Sequence, residues 1–140
     1  MSLLIERKVD KKIIFRAFNQ CYFDLLNMMK KYGSSSIEFN KFYAYNYYLK
    51  RMNIKLFIRT WYQTISLLYY DEIMKGNVDF FLNKDYSKDI KGNEDFAQTY
   101  NIDLYIQYFK KIYETLEKDL VDVFVEKVQQ LTSLSHSYFN

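Results

Sequence analysis

The chain contains no proline, and this absence constrains its fold more than any other feature of the sequence. At an average usage of about 5%, a chain of this length would hold roughly seven prolines. Its three glycines, Gly33, Gly76 and Gly92, each stand where a stretch of regularly spaced apolar residues stops. Because proline breaks helices and glycine commonly ends them, this distribution predicts an all-α fold with helix ends at or near the glycines.

Apolar residues recur at helical spacing through the first part of the chain. A first helix is predicted to begin at Ser2 or Asp10 and to reach about Tyr32, followed by Gly33 as its C-cap. A second helix is expected to begin at residues 35–38, where a serine followed three residues later by a glutamate has the form of a capping box, and to end near residue 52.

A third helix is predicted between Asn53, as its N-cap, and Gly76. Its apolar stripe comprises Ile54, Ile58, Trp61, Ile65, Leu68 and Ile73. Asn77 is then expected to cap one short helical turn over residues 80–82, and the aspartates and glutamates that follow predict an acidic loop over about 83–95.

The last part of the chain predicts one long helix from Asp95 or Asn101 to about Leu134, followed by a polar tail over about 132–140. Its stripe has the 4-3 spacing of a heptad repeat and then drifts around the axis, as expected for a straight helix packed on a globular body. The stripe comprises Ile102, Ile106, Phe109, Tyr113, Leu116, Leu120 and Val123, continued by Phe124, Val128 and Leu131. We therefore predict a single domain over residues 1–140, a compact bundle of four to five helices with a long C-terminal helix packed antiparallel to earlier ones.

The second predicted helix carries aromatic residues around most of its circumference. One residue in five of the chain is aromatic, and a bundle of short helices can seldom cover every side of one member. Tyrosine is also enriched among residues that dominate protein association. The predicted interface on this helix comprises Tyr43, Tyr45, Tyr47 and Tyr48, rimmed by Lys41, Lys50 and Arg51. The alternative is that these rings are core or half-exposed surface of a single subunit.

Charge is divided unevenly along the chain. Residues 1–60 hold twelve basic and four acidic residues, a net charge of +8, whereas the remaining eighty residues hold eight basic and thirteen acidic ones, a net charge of −5. The two halves either neutralise one another within the molecule, or they favour an acidic partner, nucleic acid, or head-to-tail contact between copies. The candidate basic surface comprises Arg7, Lys8, Lys11, Lys12, Lys30 and Lys31.

Familiar catalytic and ligand-binding motifs are missing from the sequence. Cys21 and His136 are the only cysteine and the only histidine, and the acidic stretch over 79–95 lacks the spacing of an EF-hand loop. No glycine-rich phosphate loop occurs, so we expect neither catalysis nor a metal or other cofactor. Without a signal-peptide pattern or a long apolar run, the chain is expected to be soluble and intracellular, and its Asn-, Lys- and Ile-rich composition is typical of AT-rich genomes such as those of large DNA viruses.

The sequence therefore favours a non-enzymatic interaction or structural module that acts through an aromatic helix face and opposed basic and acidic surfaces. Its expected partner is a protein, with a second copy of the chain as one form of that partner. The alternative function is that of a nucleic-acid-binding accessory protein using the basic N-terminal half.

Overall fold

A computed structural model describes residues 2–32, 37–83, 110, 111, 113, 114 and 117–140. Within these residues the chain forms helices and no strand, which confirms the predicted all-α bundle with a long C-terminal helix. Helix α1 spans Ser2–Tyr32 and α2 spans Ile37–Met52. Helix α3, Lys55–Trp61, continues through a π-helical turn, Tyr62–Ser66, into α4, Leu67–Met74. Helix α5 spans Val78–Asn83 and α6 spans Lys118–Phe139.

Several predictions fall outside the described residues. These are the C-cap at Gly33, the Ser35 half of the capping box, the acidic loop over 84–95, Gly92, and the part of the apolar stripe at 102–109. For Arg7, Lys8 and Glu38 the structure describes the helical backbone and not the side chains.

The last helix, α6, lies between α1 and the continuous rod formed by α3 and α4. On one side Phe15 of α1 contacts Tyr138, at 6.1 Å between ring centroids, while Asp24 lies 4.0 Å from Lys127, so the two helices run antiparallel. On the other side the Ser66 and Ser135 hydroxyls hydrogen-bond at 2.6 Å. The core between these helices is built from Phe18, Leu25, Leu26, Phe39, Phe42, Phe57, Ile58, Trp61, Phe124 and Leu131, all buried.

The predicted polar tail over 132–140 is wrong, because α6 continues to Phe139. Thr132 and Ser135 are buried and their hydroxyls have partners: Thr132 donates to the Val128 carbonyl at 2.8 Å, and Ser135 donates to the Thr132 carbonyl at 3.0 Å. Thr132 also accepts a hydrogen bond from the Trp61 indole at 3.2 Å. Polar residues are therefore tolerated in the core here because their hydroxyls are satisfied within and between helices.

The predicted long helix is interrupted at Glu117, whereas its predicted start at Asp95 or Asn101 lies outside the described residues. Residues 110, 111, 113 and 114 are helical, but Glu117 is extended, with ψ 151°, and α6 begins after it at Lys118. The buried face of α6 then comprises Val121, Phe124 and Leu131, whereas Val123 is exposed. The heptad position Val123 therefore does not face the core, and no glycine or proline marks the break at Glu117 in the sequence.

The π-helical turn changes which residues of α4 face the core. The Leu67 amide donates to the carbonyl of Tyr62, five residues back, so this turn holds one residue more than an α-helical turn. As a result Tyr69 is buried, and Leu68, predicted to be in the stripe, is 52% exposed. A uniform 3.6-residue period does not hold through this segment, because the π-helical turn has a different pitch and the Tyr69 backbone is kinked, with φ −129° and ψ 15°.

The helix ends predicted from the sequence are confirmed at the junction of α4 and α5 but not at the junction of α2 and α3. Gly76 has a left-handed φ of 70°, and the amides of Gly76 and Asn77 donate to the carbonyls of Ile73 and Glu72 in a Schellman arrangement. The helix end predicted at this glycine is therefore confirmed. Asn77 then caps α5, since its Oδ1 accepts the Phe80 amide at 3.2 Å.

Asn53, in contrast, does not cap α3 with its side chain. The N-cap is Ile54, in the right-handed helical conformation and without a side-chain cap. The Asn53 amide still donates to the Leu49 carbonyl at 2.7 Å, so α2 passes almost directly into α3. Ile54 therefore lacks the extended backbone that is typical of residues that cap a helix with their side chain.

Candidate interaction surface

Helix α2 is held against α1 by a buried inner face. Phe39, Phe42 and Asn46 of this face are at most 1% exposed. The Asn46 Oδ1 accepts a hydrogen bond from the Tyr22 hydroxyl at 2.5 Å, and its Nδ2 donates to the Phe42 carbonyl at 2.8 Å. Because a buried amide is costly to leave unpaired, these bonds fix the rotation of α2 about its axis.

Two of the predicted interface tyrosines lie at the junction of α1 and α2. Tyr43 and Tyr47 are half-buried, with ring centroids 4.9 Å apart, and share Asn27 of α1. The Tyr43 hydroxyl donates to Asn27 Oδ1 at 2.6 Å, and Asn27 Nδ2 donates to the Tyr47 hydroxyl at 3.0 Å. Loss of hydration raises the pKa of Tyr43 above 10.0, and its contact with Tyr47 raises it further.

Lysines cover the outer edges of this tyrosine pair. The Lys30 ammonium lies 4.1 Å from the ring centroid of Tyr43, and the Lys50 ammonium lies 4.6 Å from that of Phe23. Both distances are within the range of a cation–π interaction, worth roughly 0.5–1 kcal/mol at exposed sites. Lys30 and Lys50 therefore help to hold α1 and α2 together while remaining exposed to solvent.

The other predicted tyrosines lie on the outside of α2. Tyr45 and Tyr48 are 41% and 57% exposed, and they are flanked along the helix by Ile37 at 71% and Met52 at 65%. Together with exposed Lys41, these residues step by four, four, three and four, which places them on one side of a helix. We call this set the outer stripe: Ile37, Lys41, Tyr45, Tyr48 and Met52.

Of the seven residues predicted for the interface, the structure thus brings four together on the outer stripe or its edge. Lys41, Tyr45 and Tyr48 are on the stripe; Arg51 is exposed beside it. Tyr43, Tyr47 and Lys50 belong to the contact between α1 and α2. Sequence analysis missed Ile37 and Met52, although their spacing from Tyr45 and Tyr48 was the signal that would have identified them.

The four described lysines of the candidate basic surface lie at two places along α1, while the side chains of Arg7 and Lys8 lie outside the described part. Lys11, Lys12, Lys30 and Lys31 are all exposed on α1. The two lysine pairs are about 27 Å apart along the axis, given a rise of 1.5 Å per residue. Among the described side chains, the Lys11 ammonium lies 5.2 Å from the ring centroid of Tyr138, so Lys11 is near the C-terminal end of α6.

Helix α6 presents acidic residues on the side opposite its buried face. Asp119, Asp122 and Glu126 are exposed and follow helical spacing, and Val123 between them is 38% exposed. We call these four residues the acidic face. In the part of the chain that the structure describes, one ion pair is seen, between Lys127 and Asp24. A single pair neutralises little of the opposite charge on α1 and α6.

The lone cysteine and histidine are not brought together. The Cys21 thiol is buried and points at the Gln130 side chain, with 3.4 Å between Sγ and Oε1, while His136 contacts the Tyr70 ring and Asn140. Burial raises the pKa of Cys21, which disfavours the reactive thiolate. In the described residues there is no cluster of metal-ligating side chains and no helix long and apolar enough to cross a bilayer.

No protein-family model, curated protein sequence or solved structure matches this chain. The geometry of its helices and surfaces is therefore the basis for considering its function.

Proposed function

We propose that the protein is a non-enzymatic interaction module that binds a protein partner through the outer stripe of α2. The observation that carries this proposal is the exposure of Ile37, Tyr45, Tyr48 and Met52 on one side of a helix whose opposite side is buried and hydrogen-bonded. Large apolar side chains aligned on one helix face are the usual anchors of helix-mediated recognition.

The way α2 is held favours tight binding by this stripe. The buried Asn46 amide and the Asn27 bridge to Tyr43 and Tyr47 fix the helix before a partner arrives. A rigid surface loses less conformational entropy on association than a mobile one. Tyrosine adds a large apolar ring with a hydroxyl that tolerates the polar rim of an interface.

The partner expected for this stripe carries acidic groups around an apolar centre. Lys41 lies within the stripe and Arg51 beside it, and both are exposed. Such a rim accelerates association with an acidic surface and disfavours basic ones.

Replacement of the two exposed tyrosines tests the proposal. Affinity capture from extracts of the cells that make the protein is expected to lose at least about 90% of its specific partners with Tyr45→Ser/Tyr48→Ser, because buried tyrosines at interfaces commonly contribute 2 kcal/mol or more each. The matched control is Leu67→Ser/Leu68→Ser, which removes two apolar side chains that are 60% and 52% exposed on α4. Equal recovery with both double variants would contradict a role for the outer stripe.

A second candidate function is nucleic-acid binding, favoured by the exposed lysine pairs of α1 together with exposed Tyr45 and Tyr48. Lysines contact phosphates and tyrosine rings stack on bases in proteins that bind single strands. Fluorescence anisotropy with single-stranded DNA and RNA is expected to detect binding at low salt that weakens steeply as salt rises, and to lose it with Lys30→Glu/Lys31→Glu. Unchanged anisotropy at low salt would remove this candidate.

A further inference from the structure

We propose that the partner of the outer stripe is the acidic face of α6 on a second copy of this chain. The inference rests on the proposed function, and it names the surface that the stripe recognises. The resulting contact is head-to-tail, because each copy offers a basic aromatic helix face at one place and an acidic helix face at another.

The charges of the two surfaces are opposite. Lys41 and Arg51 are exposed on or beside the stripe, and Asp119, Asp122 and Glu126 are exposed on α6. Lys50 is not part of this complement, since its ammonium lies over the Phe23 ring of its own molecule. Opposed charges of this kind steer two surfaces together and fix their register.

The apolar and geometric features of the surfaces also correspond. Along the helix axis Val123, 38% exposed, lies between Asp119 and Glu126, as Tyr45 and Tyr48 lie between Lys41 and Arg51. Lys41 and Arg51 are about 15 Å apart along α2, and Asp119 and Glu126 about 10 Å along α6, at a rise of 1.5 Å per residue. Lysine and arginine side chains are long and flexible enough to span this difference of about 5 Å. Two helices packed side by side can thus surround a tyrosine–valine contact with ion pairs on both ends.

Both surfaces are on the outside of the molecule. The inner face of α2 packs against α1, and the opposite face of α6, with Val121, Phe124 and Leu131, packs in the core. A heterologous contact between two different surfaces leaves one of each free at the ends of an assembly. Association is thus expected to continue beyond two copies, either as an open chain or as a closed ring.

Light scattering after size-exclusion chromatography tests the inference. The wild-type mass is expected to rise with concentration at 50 mM salt and to return toward the monomer mass of 17.2 kDa at 500 mM, because exposed charges are screened within a few ångströms at high salt. A wild-type protein that is monomeric at every concentration and salt would overturn the inference, while the capture experiment with the tyrosine variants would still decide the proposed function.

Charge reversal identifies the two surfaces. Lys41→Glu/Arg51→Glu and Asp122→Lys/Glu126→Lys are each expected to weaken association about 10-fold or more, because each places like charges opposite one another. An equimolar mixture of the two variants is expected to regain the wild-type mass distribution, since every contact between unlike variants again joins opposite charges. The control Leu67→Ser/Leu68→Ser is expected to associate as the wild type does.

Two outcomes would overturn the assignment to α6. If Asp122→Lys/Glu126→Lys associates as well as the wild type while Tyr45→Ser/Tyr48→Ser does not, the stripe binds another surface, such as the stripe of a second copy. If each charge-reversed variant stays monomeric and their mixture does too, while circular dichroism shows both to be folded, the two surfaces are not partners.

Discussion

At the scale of single residues, Asn46 determines how α2 sits on the bundle. Its amide is fully buried and uses both ends, accepting from the Tyr22 hydroxyl and donating to the Phe42 carbonyl. We predict that Asn46→Ala lowers the free energy of unfolding by about 1–3 kcal/mol, because it leaves the Tyr22 hydroxyl without this buried partner. Urea denaturation measures the loss, and Asn40→Ala, an exposed asparagine of the same helix, is the control. Equal stabilities of the two variants would contradict this role.

Cys21 gives the protein a stability that depends on pH. Its pKa is raised above 9.0, mainly because burial disfavours the thiolate; Lys127 opposes this rise, and Asp24 adds a smaller one. A thiol whose pKa is raised on folding contributes stability that is complete below its unfolded pKa and is lost as pH rises through its folded pKa. We predict that the free energy of unfolding falls more steeply above pH 9 in the wild type than in Cys21→Ala, as measured by urea denaturation from pH 7 to 10.5. Identical slopes in the two proteins would show that the thiol is not the cause.

At the scale of elements, the π-helical turn is the feature that sequence periodicity does not predict. Its additional residue brings Tyr69 into the core and leaves Leu67 and Leu68 exposed. The turn is held where the buried Ser66 hydroxyl meets that of Ser135 on α6. Gln63 is exposed within this turn, so it can be regarded as the residue that the turn holds in addition to a regular α-helical turn.

We predict that deletion of Gln63 is tolerated. Removal of one residue from a π-helical turn converts it to an α-helical turn without changing which later residues face the core. Deletion of Glu126, which is exposed within the regular helix α6, is the matched control; it rotates Leu131 out of the core and is expected to cost more than about 3 kcal/mol. Thermal unfolding followed by circular dichroism compares the two deletions. A Gln63 deletion as damaging as the Glu126 deletion would contradict the proposed effect of the turn.

At the scale of the whole molecule, α6 is held in the bundle because its buried face packs between α1 and the rod of α3 and α4. Phe124 is 1% exposed on this face, and its neighbour Val123 is on the acidic face. We predict that Phe124→Ala lowers the free energy of unfolding by about 3–5 kcal/mol, whereas Val123→Ala costs less than about 1 kcal/mol. Chemical denaturation of both variants measures the difference. Similar losses would show that α6 does not present these residues as described.

Much of the helical organisation was predictable because local physics specifies it. Glycine at the C-terminus of α4 and asparagine at the N-terminus of α5 act within a few residues, and both end or begin a helix where the sequence predicts it. The absence of proline likewise acts locally, because it leaves no residue that would break a helix. The buried residues Phe18, Cys21, Leu25 and Met29 of α1 likewise follow the helical spacing of apolar residues in the first part of the chain. These features require no knowledge of distant contacts.

The candidate surface was predictable in part. Aromatic residues around α2 indicated that some rings would remain outside, but composition alone did not distinguish Tyr45 and Tyr48 on the outer stripe from Tyr43 and Tyr47 against α1. That distinction depends on Asn27 and Tyr22, which lie on another helix and bind the inner side of α2. Hydrogen bonds to residues of α1 therefore determine which face of α2 is exposed.

The sequence by itself determined that this chain is helical, where α4 ends and α5 begins, and that α2 has more aromatic surface than its neighbours hide. Only the tertiary structure decided that helix continues through residues 132–139, that Tyr69 replaces Leu68 in the core, and which tyrosines remain outside. The physical reason is range: helix propensity and capping act between near neighbours, whereas the burial of Thr132, Ser135 and Tyr69 depends on partners and packing supplied by other helices.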